Sequence, residues 1–440
     1  MSDEKTHEFL PHPRPYYPWL ILLISLIFQF YKHLLLISPS VIVPEIAEAF
    51  QVDPSKLGFL IGMALYSFFI FQIPTGILVD KFGVRRITSL GILLCAIGIT
   101  LFGYSYSIYT AYVGRILIGL GTSVALINIV KILANWFNPK MFAFLFGVAV
   151  MLGALGDLTG IYLTSALVKA VGWRTALMNY GLIGLIFAII FFIFVKDDAP
   201  GAHYDINPKI QRLKLSSTIA RMLKRKQSWI IALFTGFAQT PFPVFIGLWG
   251  IPYLRSKEHL TEQQSLSVYG ILLLGLCISA PIMGYLSTYF KRRKIFITLG
   301  SLVTTLLSIL IILPKNLDYL NHVFIFFSQG LFFGMLPLCI TVMREQNVSK
   351  ISATALAFIN SSYALFAAIA IQFTGFLFNF QWNNTLFKSI ESITPNSSFA
   401  FLLRVPFWFG LAFILSLFIK ETYAKQKIKE TLPREPRKQV

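Results

Sequence analysis

The sequence predicts an all-α integral membrane protein whose twelve transmembrane helices form two six-helix bundles related by pseudo-symmetry. Three observations support this prediction. Hydrophobic residues make up 56% of the 440-residue chain and charged residues only 13%, whereas about 25% of the residues in a soluble domain are charged. The apolar residues fall into long runs, and one pattern of glycine and basic residues occurs twice along the chain.

The apolar runs have the length of membrane-spanning helices, which need about 20 mostly apolar residues. The first six runs cover 16–41, 55–79, 87–105, 108–136, 141–169 and 174–196. The last six cover 227–254, 263–290, 295–313, 320–344, 352–380 and 398–420. Membrane-spanning strands would be about ten residues long with alternating polarity, so these runs predict helices.

The runs divide the chain into five parts. We predict a cytoplasmic tail at 1–15, an N-terminal bundle at 16–196, a linker at 197–226, a C-terminal bundle at 227–420 and a second tail at 421–440. The linker contains apolar and basic residues at helical spacing. It is therefore either a helix that lies on the inner leaflet or a plain tether.

The charge distribution predicts the orientation of the chain. The net charge is +19, and most of the 38 lysines and arginines lie on the side that the N-terminus occupies. Basic residues concentrate on the cytoplasmic side of membrane proteins, so both termini are expected in the cytoplasm, with the chain in a bacterial inner membrane. The basic residues then contact lipid headgroups, and no nucleic acid partner is expected.

Nothing in the sequence indicates a cofactor or a metal site. The three cysteines, Cys95, Cys277 and Cys339, are scattered through apolar runs, and the six histidines form no cluster with metal-ligand spacing. The chain also has no phosphate-binding loop. Any transport would therefore use a solute or ion gradient or be passive.

The repeated pattern closes the second and the eighth runs. The first copy contains Gly76, Phe82 and the basic pair Arg85 and Arg86. In the second copy Gly284, Phe290 and a run of basic residues recur in register. Parallel repeats of this kind are a known transporter architecture, so the repeat predicts two related halves.

Several of these residues resemble signatures of the major facilitator superfamily. Gly76, Asp80, Gly83, Arg85 and Arg86 resemble its loop signature, although the basic pair is shifted by one residue. Two further signatures are an arginine followed by glycines in the fourth run and a glycine-rich fifth run, with the members Arg115, Gly119, Gly121, Gly147, Gly153, Gly156 and Gly160. The resemblance implies a transporter of small solutes that works by alternating access.

A finer resemblance concerns one branch of this family. The segments 30–40, 247–253 and 344–347 look like those of a branch with phagosomal amino-acid transporters of intracellular bacteria and lysosomal dipeptide transporters. This resemblance implies amino acids or short peptides as substrates. In the second copy of the loop signature Thr288 replaces the acid, so a coupling role of that loop would depend on Asp80.

Three ionisable residues lie deep in the predicted spans, where a charge is costly and often functional. Lys32 and Asp157 lie at similar depth, because both of their helices rise from the cytoplasm at about 1.5 Å per residue. We expect them to pair beside a central cavity, either as a coupling site or as a structural salt bridge. Arg115 is an alternative partner for Asp157, or a ligand for a carboxylate.

The loop signature suggests a gate. Asp80 lies at the cytoplasmic mouth, on the side where the eleventh span begins, and an acid is stabilised at a helix N-terminus. Together with Gly76, Gly83, Arg85 and Arg86 it is expected to join the halves in one conformation. The alternative is an ordinary interfacial acid that pairs with Arg85 or Arg86.

Helix-breaking residues cluster in the first and seventh spans, which correspond in the repeat, and such breaks often lie near a transporter's binding site. The polar residues expected near them as substrate ligands are Tyr31, Gln239, Trp249, Asn360 and Gln372. Each could instead make an interhelical hydrogen bond.

The sequence as a whole predicts a secondary transporter of a small organic solute, with proton-coupled uptake of amino acids or short peptides as the first hypothesis. Efflux of a drug, siderophore or other metabolite is the main alternative. A transporter-like nutrient sensor is a second one. Enzymatic activity is not expected, because no group of catalytic side chains lies near one membrane face. The expected partners are the solute, protons and the lipid bilayer, with the protein a monomer or a weak homodimer.

Overall fold

The computed structural model describes residues 16–138, 141–197, 220, 222–245, 250, 254–255, 260–311, 317–347, 352–381 and 395–424. Within these residues the regular secondary structure is helical, and no strand occurs. The predicted linker falls mostly outside the described residues, so its amphipathic helix and the domain boundaries stay predictions.

Eight helices form the N-terminal half. They are α1 (Tyr17–Val41), α2 (Val43–Phe50), α3 (Pro54–Phe82), α4 (Val84–Tyr104), α5 (Ile108–Thr122), α6 (Ala125–Trp136), α7 (Phe142–Val171) and α8 (Trp173–Phe194). The C-terminal half contains α9 (Lys226–Gln239), α10 (Pro241–Val244), α11 (Glu262–Tyr289), α12 (Lys294–Leu310), α13 (Tyr319–Phe333), α14 (Leu336–Glu345), α15 (Ser352–Gln381) and α16 (Pro395–Leu417).

Nine helical segments in the described residues are long and apolar enough to cross a membrane, and two shorter apolar helices accompany them. The outer faces of these helices expose large apolar side chains, among them Ile186 and Ile189 on α8. Such continuous apolar surface is stable only against lipid. The chain is therefore an integral membrane protein, as its composition predicts.

Three of the predicted spans are broken, and a short helix follows a fourth. The first span ends as predicted, and the chain turns at Ile42 into the short α2, which the prediction did not include. The seventh span is divided at Thr240, between α9 and α10. Prolines predict this turn and this break. The fourth span is divided at Ser123 and Val124, and the tenth at Gly334 and Met335. The second pair was not predicted. The fourth span contains no proline, so its apolar run is uninterrupted, whereas Pro337 in the first turn of α14 was the signal in the tenth span.

The packing of the helices repeats between the halves. In the N-terminal half α1 packs against α7, α4 against α8 and α3 against α5. In the C-terminal half the corresponding pairs are α9 with α15, α12 with α16 and α11 with α13. Two long pairs, α3 with α15 and α7 with α11, join the halves. The predicted pseudo-symmetric twelve-span architecture is confirmed.

One acidic side chain in each half caps the helix that follows the repeated loop. Asp197, just beyond α8, accepts a hydrogen bond from the backbone N–H of Arg85 (2.8 Å). Glu421, beyond α16, accepts hydrogen bonds from the N–H groups of Arg293 and Lys294 (both 2.8 Å). These caps satisfy N–H groups that a helix leaves unpaired at its start.

Candidate functional site

A cavity of about 180 Å³ lies between the two halves, and helices of both halves contribute to its wall. Its polar and ionisable lining residues are Gln29, Lys32, His33, Arg115, Asp157, Gln239, Asn360 and Tyr363. The remaining lining residues are apolar, with phenylalanines on both sides. The cavity therefore combines a few polar groups with a largely apolar wall, as small-molecule sites do.

Two cationic side chains reach this cavity without an acidic partner. Lys32 on α1 is buried, and its Nζ lies 5.3 Å from the centroid of the Phe68 ring. Arg115 on α5 is 1% exposed, and its Nη2 donates a hydrogen bond to the carbonyl oxygen of Ile61 (2.9 Å). The other two guanidinium nitrogens have no partner. Within the described residues, neither cation forms an ion pair.

The predicted ion pair between Lys32 and Asp157 is wrong. Asp157 on α7 instead pairs with His33, whose Nδ1 lies 2.9 Å from Asp157 Oδ2. His33 also contacts Gln29, with 3.2 Å between His33 Nε2 and the Gln29 amide nitrogen. The estimate of depth was correct to within one residue. Successive helix residues point about 100° apart, however, and the direction towards α7 selects His33.

Glycines on α7 allow this close approach. A Cβ atom at Gly153 would lie 2.8 Å from His33 Nε2, and one at Gly156 would lie 2.4 Å from the Phe30 carbonyl oxygen. Such distances are shorter than real Cβ contacts. The glycine-rich fifth span, which flanks Asp157, was thus the signal in the sequence that could have identified His33.

The remaining predicted ligands are divided between the cavity and other locations. Gln239 and Asn360 line the cavity from the C-terminal half, and the buried Asn360 Nδ2 has no hydrogen-bond partner. Tyr31 instead donates to the carbonyl oxygen of Tyr180 (2.9 Å) and joins α1 to α8. The fifth residue, Trp249, lies outside the described residues.

Gln372 is also not part of the cavity wall. Its Oε1 accepts a hydrogen bond from the hydroxyl of Tyr66 (2.6 Å), which joins α3 to α15. For Gln372 and for Tyr31 the alternative of an interhelical hydrogen bond is therefore the one that the structure shows. A sequence run does not distinguish the two, since both roles place a polar residue on an inward-facing helix surface.

The predicted gate residues have three different surroundings. Arg85 donates from Nε to the carbonyl oxygen of Phe192 (2.6 Å), and a Cβ at Gly83 (φ +88°) would collide with Asp197. These two residues thus join helices of the same half. Gly76 faces α15, where an added Cβ would lie 3.9 Å from the Cβ of Ala357. Arg86 is exposed.

The side chain of Asp80 lies outside the described residues, so its predicted gating contact stays a prediction. A different contact joins the halves at this end of the molecule. The guanidinium of Arg344 on α14 lies over the ring of Phe142 at the start of α7, 3.9 Å from its centroid.

The charges of the cavity all come from one half. Lys32, His33, Arg115 and Asp157 belong to the N-terminal half, while the C-terminal half contributes amides, a phenol and apolar side chains. The sequence indicates this asymmetry, because the three ionisable residues that lie deep in the predicted spans, Lys32, Arg115 and Asp157, all belong to the N-terminal bundle.

Comparisons with known proteins identify the family. The family model of the Major Facilitator Superfamily matches residues 19–371 and 250–434. The chain belongs to the Major Facilitator Superfamily. Its twelve-span fold, with two related halves around a central cavity, agrees with this membership.

Several members of the Major Facilitator Superfamily have partial similarity to the chain. An uncharacterized transporter, YybO of Bacillus subtilis, is 26% identical over 46% of the chain and 49% of its own length. The hexuronate transporter of the same species is 22% identical over 58% of the chain and 60% of its own length. The 4-hydroxybenzoate transporter of Acinetobacter baylyi is 25% identical over 42% of the chain and 40% of its own length. The matches thus span about half the length of these relatives.

Proposed function

We propose that the protein is a secondary transporter that carries a small organic anion across the membrane by alternating access, with a proton gradient as the energy source. One observation supports this proposal above the others. Lys32 and Arg115 are buried beside the same cavity, and neither forms a direct ion pair in the part of the chain that the structure describes, although Asp157 lies near enough to Lys32 to attract it.

The electrostatic cost of these two cations supports a negatively charged substrate. An arginine or lysine in a membrane helix costs about 2.5 to 3.5 kcal/mol on insertion scales. The carboxylate in the cavity, Asp157, is already hydrogen-bonded to His33. An anion that enters the cavity would offset the cost, since its carboxylate would accept hydrogen bonds from the two unpaired nitrogens of Arg115.

The cavity wall supports an anion with an apolar body. Its volume of about 180 Å³ corresponds to roughly a dozen water positions, enough for an organic ion of about ten non-hydrogen atoms. Phe68, Phe146 and Phe242 line it, and the polar wall groups of the C-terminal half are few. An aromatic or branched aliphatic carboxylate would bury its body here, whereas a sugar acid would leave hydroxyl groups without partners.

The names of the relatives support the same class of substrate. The hexuronate and 4-hydroxybenzoate transporters are both named for organic anions. The amino acids and short peptides implied by the branch resemblance are the second candidate. Asp157 supports them as a possible ligand for an ammonium group, but that group would have to displace His33. We therefore place the organic anion first.

Uptake into proteoliposomes tests the proposal. The probes are radiolabelled 4-hydroxybenzoate, glucuronate, leucine and a dipeptide, each with an inward and with an outward proton gradient. We expect gradient-driven accumulation of 4-hydroxybenzoate. In Lys32→Gln and Arg115→Gln its apparent affinity should fall about tenfold or more, because a hydrogen bond to a charged group contributes about 1.5 to 3 kcal/mol.

Arg174→Gln is the matched control. Arg174 is a partly buried arginine of the N-terminal half that also donates to one backbone carbonyl, that of Ser105 (3.1 Å), but it lies outside the cavity. The affinity of this variant should stay near that of the wild type. Preferential transport of leucine or the dipeptide would contradict the anion proposal. Accumulation only with the outward gradient would indicate efflux, and binding without transport would indicate a sensor.

A further inference from the structure

His33 and Asp157 both line the cavity, and the imidazole exposes more of its surface there than the carboxylate that it contacts. The imidazole is 27% exposed, whereas the side chain of Asp157 is 6% exposed. The Nδ1 atom faces Asp157 at 2.9 Å, and the Nε2 atom faces the amide nitrogen of Gln29 at 3.2 Å. Of the two groups, the imidazole therefore presents the larger surface to a proton that enters the cavity.

The contact with Gln29 indicates where the imidazole carries its hydrogen. An amide NH₂ group can only donate, so His33 Nε2 accepts this hydrogen bond. The hydrogen of a neutral imidazole then lies on Nδ1 and is donated to Asp157 Oδ2. With the Gln29 amide in this orientation, the arrangement matches a neutral histidine beside an ionised aspartate.

The same residues can accommodate the charged form. Gln29 Oε1 is buried and has no hydrogen-bond partner. A half-turn of the amide would place this oxygen opposite His33 Nε2, where it would accept a hydrogen bond from an imidazolium N–H. His33 would then gain one proton at Nε2 and retain the hydrogen bond from Nδ1 to Asp157. Histidine is suited to this role because its ordinary pKa lies close to physiological pH.

The ionisable groups around His33 make its charge dependent on the content of the cavity. On its own helix the ionisable neighbour is Lys32. The ionisable side chains of the helices packed around it are Asp157 on α7, Arg115 on α5, Cys277 on α11, Tyr363 on α15, Lys131 on α6, Cys95 on α4 and Tyr180 on α8. Asp157 favours an imidazolium, and the two unpaired cations, Lys32 and Arg115, oppose it. Lys131 lies towards the cytoplasm, since α6 contacts α1 near Ser25, two helical turns before His33.

A bound anion would remove this opposition. Its negative charge would offset the field of Lys32 and Arg115, so the proton would bind His33 more tightly when the anion is present. Coupling between two binding equilibria is reciprocal. The anion would therefore also bind more tightly when His33 is protonated, which is what the joint movement of a proton and an anion requires.

We propose that His33 is the group that carries the coupled proton, with Asp157 and Gln29 as positioning residues. This inference depends on the proposed function, because it assumes transport of an anion. It replaces the pair of Lys32 and Asp157 as the coupling site and assigns separate roles to adjacent residues on α1. Lys32 binds the anion, and His33 binds the proton.

Two assays in the same proteoliposomes separate these roles. Counterflow exchange of labelled 4-hydroxybenzoate needs binding but no proton gradient, whereas accumulation above equilibrium needs both. In His33→Gln we expect gradient-driven accumulation to be lost and exchange to fall only a few-fold. In Lys32→Gln both should fall about tenfold or more at substrate concentrations below the wild-type KM. Accumulation by His33→Gln at the level of the wild type would overturn the inference, while exchange by Lys32→Gln at that level would contradict the anion site alone.

A second variant tests the role of Gln29. Gln29→Met removes the oxygen that would accept a hydrogen bond from the imidazolium, so the pH at half-maximal accumulation should move to more acidic values. Gln72→Met, which alters a buried amide of α3 outside the cavity wall, should leave this pH unchanged. Coincident pH profiles for Gln29→Met and wild type would show that Gln29 is merely structural. Size-exclusion elution and thermal melting of the purified variants establish that each is folded.

Discussion

At the scale of single residues, Glu421 illustrates how a polar group is held at the end of the bundle that carries the repeated loops. It lies beyond α16, outside the membrane spans, and accepts hydrogen bonds from the N–H groups of Arg293, Lys294, Thr422 and Tyr423. Burial by itself raises the pKa of this carboxyl. The four N–H donors outweigh burial and hold the pKa of Glu421 below its ordinary value.

This lowered pKa predicts a loss of stability in acid. A carboxyl with a lowered folded-state pKa stabilises the fold fully above its unfolded value of 4.5, and the contribution disappears as the pH falls through the lower folded-state value. We expect Glu421→Gln to lower the melting temperature at neutral pH by a few degrees. The difference from wild type should shrink below pH 4.5.

Thermal melting in detergent across this pH range is the measurement. Glu48→Gln serves as the control, because Glu48 is exposed and its carboxylate does not cap a helix. This variant should melt like the wild type throughout. A difference between Glu421→Gln and wild type that stays constant from neutral to acid pH would contradict the assigned role.

The choice between Lys32 and His33 shows what the sequence could not predict at this scale. Apolar runs give the depth of a residue, and that estimate placed α1 and α7 in the correct register. Which of two neighbouring side chains turns towards the partner helix depends on helix rotation, and the rotation is set by packing at Gly153 and Gly156. The same limitation explains Tyr31 and Gln372, whose hydroxyl and amide join helices outside the cavity.

At the scale of helices, glycines determine how closely the halves meet. On α7, an added Cβ at Gly147 would lie 2.5 Å from the carbonyl oxygen of Ala280 on α11. A Cβ at Gly284 on α11 would lie equally close, at 2.5 Å, to the carbonyl oxygen of Ala143. Both neighbours are backbone atoms, which cannot move aside as a side chain can.

A larger side chain at Gly147 is therefore expected to separate the halves at this crossing. Overpacking of this kind costs about 1 to 3 kcal/mol, which corresponds to about a fivefold or greater rise in the open population. Cys277 reports the change, because it is buried at the same crossing, with its Sγ 3.6 Å from the Met151 carbonyl oxygen. We expect Gly147→Val to raise the rate of maleimide labelling at Cys277 by a comparable factor.

Gly410→Val provides the matched control. Gly410 also lies within a long helix, α16, but a Cβ there would meet no atom within 4 Å. The labelling rate of Cys277, measured by mass spectrometry of its peptide, should be unchanged in this variant. Equal rates in Gly147→Val and wild type would show that the crossing can absorb the extra volume.

The helix boundaries show how far an apolar run specifies an element. Predicted and observed ends agree closely, as in α1, expected at 16–41 and found at Tyr17–Val41, or α15, expected at 352–380 and found at Ser352–Gln381. The breaks at Ser123 and Gly334 were not predicted, because small residues there keep the run apolar. Their position depends on contacts with other helices, such as the hydrogen bond between Ser123 and Thr75 (2.8 Å).

At the scale of the whole molecule, charge distribution predicts orientation. The basic residues of the repeated loops, including Arg85 and Arg293, lie at the same end of the bundle as the caps Asp197 and Glu421. By the positive-inside tendency, we propose that this end faces the cytoplasm, together with both termini.

Reporter fusions test this orientation. We expect a green fluorescent protein fused at the C-terminus of the full chain to fluoresce in bacterial cells. Alkaline phosphatase fused at the same position should be inactive, since it folds only outside the cytoplasm. An active phosphatase fusion together with a non-fluorescent protein fusion would contradict the proposed orientation. The contact of Arg344 with Phe142 would then lie on the outer side of the membrane.

The uneven composition of the cavity wall has an evolutionary consequence. Its ionisable groups belong to one bundle, while Leu336, Ile340 and Ile371 of the other bundle supply shape. Under the proposed function, mutations at these three positions would alter which cargo fits and leave the energy source intact. Related proteins would therefore differ in substrate through changes in the C-terminal bundle, while the N-terminal bundle keeps the same coupling to the proton gradient.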